Sequence, residues 1–184
     1  MNGIDYSRLQ EDITDVAPGA AFTAFVDRIL RPDLGRLWGD RYARDSAGAN
    51  IVEVELGSFA YLFDLTQERS IAAYGFMQGH NKTKRDTGRM AGFPKHEGRE
   101  YHRGHMIPHT GHGGTDINLF IQLGSVNVGP FRELEKQAVA APGSFYFVNL
   151  LYAPRGDAQR PIAMEQGLAT DGAPPRLQVH AFTN

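Results

Sequence analysis

The sequence predicts a mixed α+β domain built on an antiparallel sheet. Three observations predict it. Apolar and polar residues alternate over 51–56, and a second strand-like run follows at 59–65 after a Gly57-Ser58 turn. The run SFYFVNLLY at 144–152 is apolar throughout and has the length of a central strand. Two stretches, 20–31 and 130–140, carry apolar residues at helical spacing instead.

Taken along the chain, the first 50 residues read as the helical N-terminal part of the same domain. Phe22, Phe25, Val26, Ile29 and Leu30 make one helical stripe, bracketed by Pro18-Gly19 and by Pro32. Residues 33–50 are rich in Gly, Asp and Arg and read as irregular. Ile51, Val52, Val54 and Leu56 alternate with Glu53 and Glu55, so 51–56 and 59–65 form a hairpin. Residues 77–100 mix glycine with charge and read as a long surface loop, a class that often carries function. Pro130 opens the second helix, Phe131 and Leu134 give it an apolar side, and Pro142-Gly143 stops it. Further strands are expected at 160–165 and 177–182, separated from their neighbours by turns at 154–156 and 172–175.

The chain has 184 residues, 41% of them hydrophobic and 22% charged, which suits an ordinary globular domain. It has no cysteine. Disulfides, thiolate zinc sites and cysteine nucleophiles are thereby excluded. No apolar run is long enough to span a bilayer, so no membrane partner is expected. The N-terminus shows no signal peptide. A net charge of −2 argues, as a whole-chain average, against a strongly basic nucleic-acid binder. That average hides a local strip. Between 82 and 103, seven basic residues face three acidic ones, a net +4 that leaves −6 for the remainder. Such a strip can engage phosphates whatever the net charge.

Five of the seven histidines fall between 96 and 112. His102, His105, His109 and His112 have near-helical spacing, but Gly104, Pro108, Gly111, Gly113 and Gly114 argue against a helix there. In an extended segment His105, Ile107 and His109 would share one face. Singly, each histidine is a polar loop residue. Together with the basic strip they mark the region as a candidate site.

The order of residues that follows is more specific. The run YHRGHMIPH, eight further residues, then NLFIQLGSVNVGPFRELE resembles the active-site segment of the DNA/RNA non-specific endonucleases, the ββα-metal or His-Me finger nucleases. The shared elements are Arg103-Gly104-His105, Asn118, Gln122, Asn127-Val128-Gly129, Phe131 and Leu134-Glu135, within about a fifth of the chain. Two departures stand out. The family often has an acidic residue where this chain has His102. The family's upstream phosphate-stabilising arginine has no fixed place by spacing; Arg85 and Arg89 are candidates, with Lys84 behind them.

The resemblance implies a fold: an antiparallel sheet with flanking helices and a ββα-metal finger, with 51–184 as the nuclease core. It also implies roles. His105 is expected as the general base, Asn127 as the protein ligand of a hydrated Mg²⁺, with Mn²⁺ or another divalent ion as substitutes. Asn118 is expected to orient the histidine or its surroundings. Glu135 is expected to act on the metal through water, and Arg103 to contact phosphate. The chemistry is coherent. An imidazole with an ordinary pKa of about 6.5 suits a base near neutrality, and a hard ion with one neutral oxygen ligand keeps most of its waters. The expected substrate is DNA or RNA, read through phosphates rather than base edges.

Two rival readings come from the same residues. One is a zinc hydrolase ligated by His102, His105, His109 or His112. The other is a non-catalytic nucleic-acid-binding module. A cysteine-free catalytic domain without a signal further resembles a bacterial toxin or secretion-system effector. That implies an immunity protein as partner, and a location in the bacterial cytoplasm or delivery by a secretion system.

Overall fold

The computed structural model describes residues 3–84, 88, 98–154 and 158–184. The chain begins with α1 (Ser7–Thr14), α2 (Ala20–Phe25), a π-helical turn (Val26–Leu30) and α3 (Arg31–Asp45). Strands β1 (Ile51–Leu56), β2 (Phe59–Asp64) and β3 (Arg69–Phe76) follow. Next come β4 (Tyr101–His105), β5 (Leu119–Leu123), α4 (Gly124–Val128) and α5 (Pro130–Ala140). The chain closes with β6 (Phe145–Leu151), β7 (Ala163–Thr170) and β8 (Arg176–Thr183). Among the described residues, no helix is long and apolar enough to cross a membrane.

Six strands pair antiparallel in the order β1-β2-β3-β6-β7-β8, and β4 and β5 form a separate antiparallel pair. The expected α+β class with an antiparallel sheet is therefore the class observed. The hairpin is also as expected, with Leu56 opposite Phe59 across a turn in which Gly57 takes φ +64°. β6 lies in the middle of the sheet, and every residue of it is buried. This is why its sequence shows no alternation.

The first helical region departs from expectation. The helix does not stop at Pro32 but continues to Asp45. Two effects explain the difference. The Arg31 N–H donates to Val26 O, closing a π turn, and Pro32 then falls in the first turn of α3, where a missing N–H is tolerated. Gly35 and Gly39 each cost about 1 kcal/mol in a helix. Leu34, Trp38 and Tyr42 at i, i+4, i+8 are buried, and Leu34 alone recovers about 2 kcal/mol. Packing outweighs propensity. The short α1, with Leu9 and Ile13 buried one turn apart, gave no comparable sequence signal.

Two strands also differ. β3 carries Ala72, Ala73 and Gly75 and was not anticipated, because its small residues lack strand character; they are all buried between β2 and β6. The strand expected at 160–165 begins instead at Ala163 and runs to Thr170. Pro161 has no N–H to donate, so pairing begins beyond it.

The sheet is the middle of three layers. On one face lie α1–α3. Trp38 packs against Tyr74 and Phe147, with ring centroids 5.5 and 5.1 Å apart, and Tyr6 packs on Phe147 at 5.8 Å. Arg31 ties this layer to the edge strand through Glu53 (3.2 Å) and Glu55 (2.9 Å), so the acidic side of β1 meets a helix rather than bulk water alone. On the other face, Gln166 donates to the Phe131 carbonyl (3.0 Å) and to Tyr146 Oη (2.7 Å), and Gln122 reaches Met164 Sδ (3.4 Å). These bonds hold α5 and the β4–β5 pair against the sheet.

Candidate functional site

β4, β5 and α5 make a ββα unit, as the resemblance implies. Tyr101 stands opposite Leu123 and His105 opposite Leu119, so the histidine ends its strand. Strict alternation puts Arg103 and His105 on one side of β4, and His102 and Gly104 on the other. Gly104 is required by its neighbour: a Cβ there would collide with the Gln122 side chain, which passes beneath it toward Met164. The glycine lets the polar Gln122 lie flat between the two sheets.

The extended conformation stops at His105. Met106, Ile107 and Pro108 are all buried, and His109–Gly111 forms a 3₁₀ turn. The expectation of one extended face from His105 to His109 is therefore corrected. Asn118 explains the sharp course of this segment. Buried completely, it accepts from the Ile107 N–H at 2.8 Å and donates to the Ile107 and Gly114 carbonyls, each at 2.8 Å. Its own carbonyl accepts from Met106 N at 2.8 Å. Asn118 thus clamps the backbone immediately after His105.

A cleft of about 580 Å³ opens beside this segment. Arg103, His105, Asn127 and Glu135 all line it. They come from β4, α4 and α5. His105 is 7% exposed, held in the wall of the cleft rather than on its rim. Its ring stands edge-on to that of His109, with centroids 6.5 Å apart. Glu135 is half-buried, and its carboxylate, together with burial, raises the Tyr146 hydroxyl far above its ordinary pKa; burial is the larger cause.

Among the titratable residues that line the cleft, His80, Arg132 and Lys136 are not singled out by the sequence reading. Arg132 lies three residues before Glu135 on α5 and Lys136 four after Arg132, so a helical projection from Glu135 finds Arg132 and, from it, Lys136. His80 has no local signal. It arrives because Asn81 is pinned across the 3₁₀ turn, with its N–H on Thr110 O (2.6 Å) and its Nδ2 on His109 O (3.1 Å). Lys84 is exposed and is absent from the cleft lining. Arg85 and Arg89 lie outside the described residues.

The histidines divide. His80, His105 and His109 line the cleft, whereas His102 and His112 do not. Among the described residues, no three His, Asp or Glu side chains group as a metal cage. The donors in the cleft are instead an amide oxygen at Asn127 and a carboxylate at Glu135. Asn127 Nδ2 meets His102 Nδ1 at 3.1 Å, and Oδ1 has no hydrogen-bond partner among the described residues. Hard oxygen donors of this kind fit a hydrated Mg²⁺ better than a thiophilic or imidazole-seeking ion.

No family model matches the chain, and no curated protein matches it in sequence. Solved structures do resemble it in shape. A chain of the EndoG/EndoGI complex, a crystal structure describing the mechanism of EndoG inhibition, superposes with a TM-score of 0.52 at 12% identity, covering 72% of this chain and 74% of that one. An extracellular endonuclease matches with a TM-score of 0.40 at 15% identity, over 73% of this chain and 69% of that one. The first likeness shows a shared fold, the antiparallel sheet with its ββα unit.

Proposed function

We propose that this chain is a divalent-metal-dependent endonuclease that hydrolyses phosphodiester bonds of DNA or RNA with little sequence preference. The observation that carries the reading is the shared cleft of Arg103, His105, Asn127 and Glu135, which the sequence spreads over 33 positions. A shared fold with the EndoG chain supports it.

In this reading His105 takes a proton from a water molecule as that water adds to phosphorus. The clamp at Asn118 fixes the backbone beyond the imidazole, so the base is held in place before substrate arrives. Arg103 and Arg132 offer guanidinium donors to the phosphate, with Lys136 as a further positive charge. Asn127 Oδ1 would hold Mg²⁺, and Glu135 would retain its water shell by accepting hydrogen bonds. When bound, the ion supplies positive charge against the growing negative charge at the phosphate. The bond from phosphorus to the departing sugar oxygen then breaks, the electron pair stays on that oxygen, and a proton from water completes its hydroxyl.

The test is a plasmid nuclease assay with and without Mg²⁺, on wild type and His105→Ala. Wild type is expected to cut only with the divalent ion, and His105→Ala to lose the activity. Full cleavage in EDTA, or by the variant, would refute the mechanism. The zinc and binding-module readings make different forecasts: one zinc per purified chain, or saturable DNA binding without cleavage in Mg²⁺ and Mn²⁺.

For biological role we propose an antibacterial effector neutralised by an inhibitor protein. The resemblance to toxin modules supports this, and the EndoG chain of similar fold is itself described with an inhibitor. Expression in a bacterial cytoplasm is expected to kill, and a neighbouring gene product to rescue. Harmless expression of an active enzyme would argue for a scavenging role.

A further inference from the structure

His102 stands where the resembling nucleases often have an acid, and it is not in the cleft lining. It nonetheless reaches the site. Its Nδ1 lies 3.1 Å from Asn127 Nδ2. An amide nitrogen donates, so the contact is a hydrogen bond in the tautomer whose Nδ1 carries no proton. The ring also rests against the first turn of α4. A Cβ built on Gly124 would lie 2.8 Å from His102 Nε2, 3.0 Å from its Cε1 and 3.0 Å from Glu100 O. Gly124 N–H in turn donates to Glu100 O at 2.7 Å. Only a glycine lets the strand and the helix approach this closely, and the space it leaves is filled by the imidazole.

A free asparagine amide can turn over, exchanging its oxygen and nitrogen ends. An acceptor fixed on one side removes that freedom. It takes the NH₂ end and turns Oδ1 the other way. We propose that His102 is a positioning residue for Asn127, presenting the amide oxygen to a divalent cation in the cleft. The inference rests on the reading of Asn127 as the metal ligand. It assigns His102 a task that a carboxylate does equally well, since both offer an acceptor to the amide. It also separates His102 from His105, although three residues apart on one strand they resemble a ligand pair.

The test measures Mn²⁺ binding directly, by calorimetry and by paramagnetic line broadening, on the folded full chain. His102→Leu removes the acceptor and is expected to weaken Mn²⁺ binding about tenfold or more. His102→Gln sets an acceptor too far along the side chain and is expected to weaken it as well. His102→Asn carries an oxygen close to the position of Nδ1 and is expected to bind within about threefold of wild type. In cleavage assays the Leu variant should need more Mg²⁺ for half-maximal rate yet recover most of kcat at saturation. A merely structural role would lower the melting temperature and leave the Mn²⁺ affinity of the folded protein unchanged; that result overturns the proposal. The control is Asn127→Ala. If it abolishes Mn²⁺ binding while His102→Leu and His102→Gln bind normally, the positioning role fails and the metal reading stands. If Asn127→Ala binds Mn²⁺ like wild type, the ligand assignment and the positioning role fall together.

Discussion

On the helix side of the sheet, Glu165 is 1% exposed and receives hydrogen bonds from Ile4 N (2.7 Å), Tyr6 Oη (2.7 Å) and Asn149 Nδ2 (2.9 Å). Trp38 Nε1 completes the chain by donating to Tyr6 Oη at 3.0 Å. Nearby, Arg69 donates to Tyr42 Oη (2.7 Å), the Ala158 carbonyl (2.7 Å) and Ser46 Oγ (3.2 Å), and its guanidinium lies 4.0 Å from the Tyr152 ring centroid. On the opposite side, Arg103, His105, Asn127 and Glu135 face an open cleft of about 580 Å³. Both sides are rich in polar groups. One closes them on each other, and the other gathers them along the wall of a cleft. Closed networks of this kind specify packing, because a member left without its partner inside a low-dielectric core is costly. The contrast implies that stability and chemistry can be altered separately.

The largest effect expected from breaking one side alone is that of His105→Ala. Loss of a general base costs up to about 10⁴-fold in rate, so cleavage should fall by about 10³-fold or more in a plasmid assay. The melting temperature should drop by no more than about 5 °C. Arg69→Ala is its mirror image. Removing one partner from a buried charged network costs about 3–5 kcal/mol, read as a shift in the urea midpoint, while the activity per folded molecule stays at the wild-type level. A matching loss of activity in the Arg69 variant would mean that the two sides are coupled.

Asn118→Ala tests a residue that shares features of both. It is buried like the network residues, yet it clamps the segment leading from His105. Losing its side-chain bonds should cost about 2–3 kcal/mol and also slow cleavage, so both measurements move. An unchanged rate would show that the clamp serves folding only.

A fourth prediction uses pH. Burial alone would raise the Asp64 pKa, but bonds from the Asn50 N–H, Tyr42 Oη and the Thr66 N–H outweigh it, and the net shift is downward. A lowered folded pKa means that the carboxylate stabilises the fold above the unfolded value, and that this contribution is lost as pH falls through the folded one. The stability gap between wild type and Asp64→Asn should therefore be full near pH 7 and shrink below about pH 4. A gap that stays constant to about pH 2 would contradict the assigned network. The smallest effect is expected from Arg132→Ala at the cleft. Substrate binding should weaken a few-fold, and the salt dependence of binding should lose about 0.9 in slope for one phosphate contact.

The parts of the fold legible beforehand were those whose signal is local. The 51–65 hairpin, the 130–140 helix and the central strand at 144–152 each carry their own periodicity and turn residues. The parts that were not legible depend on partners far away in sequence. α3 looks irregular because of its glycines and Pro32, and it exists because Trp38 and its neighbours find Tyr74 and Phe147. β3 carries Ala72, Ala73 and Gly75 in its middle, and it is held as a strand by lying between β2 and β6. At the site, Arg103, His105, Asn127 and Glu135 were named from motif order, and the cleft they line is a result of folding. Arg132 and Lys136 were within reach of a helical projection. His80 was not, since only the Asn81 bonds across the 3₁₀ turn bring it there.

The sequence by itself determined the class of fold, the absence of thiol chemistry and the candidate residues, because composition, periodicity and motif order are one-dimensional properties. Tertiary structure decided which of those residues meet. It set His102 against Asn127 and apart from His105, since alternate residues of a strand leave on opposite sides and the glycine at 124 leaves room for the His102 ring. It also decided that the polar residues of the helix side close on each other in the interior while those of the ββα unit line a cleft. That division follows from which face of the sheet each element covers, a fact that no stretch of the chain carries alone.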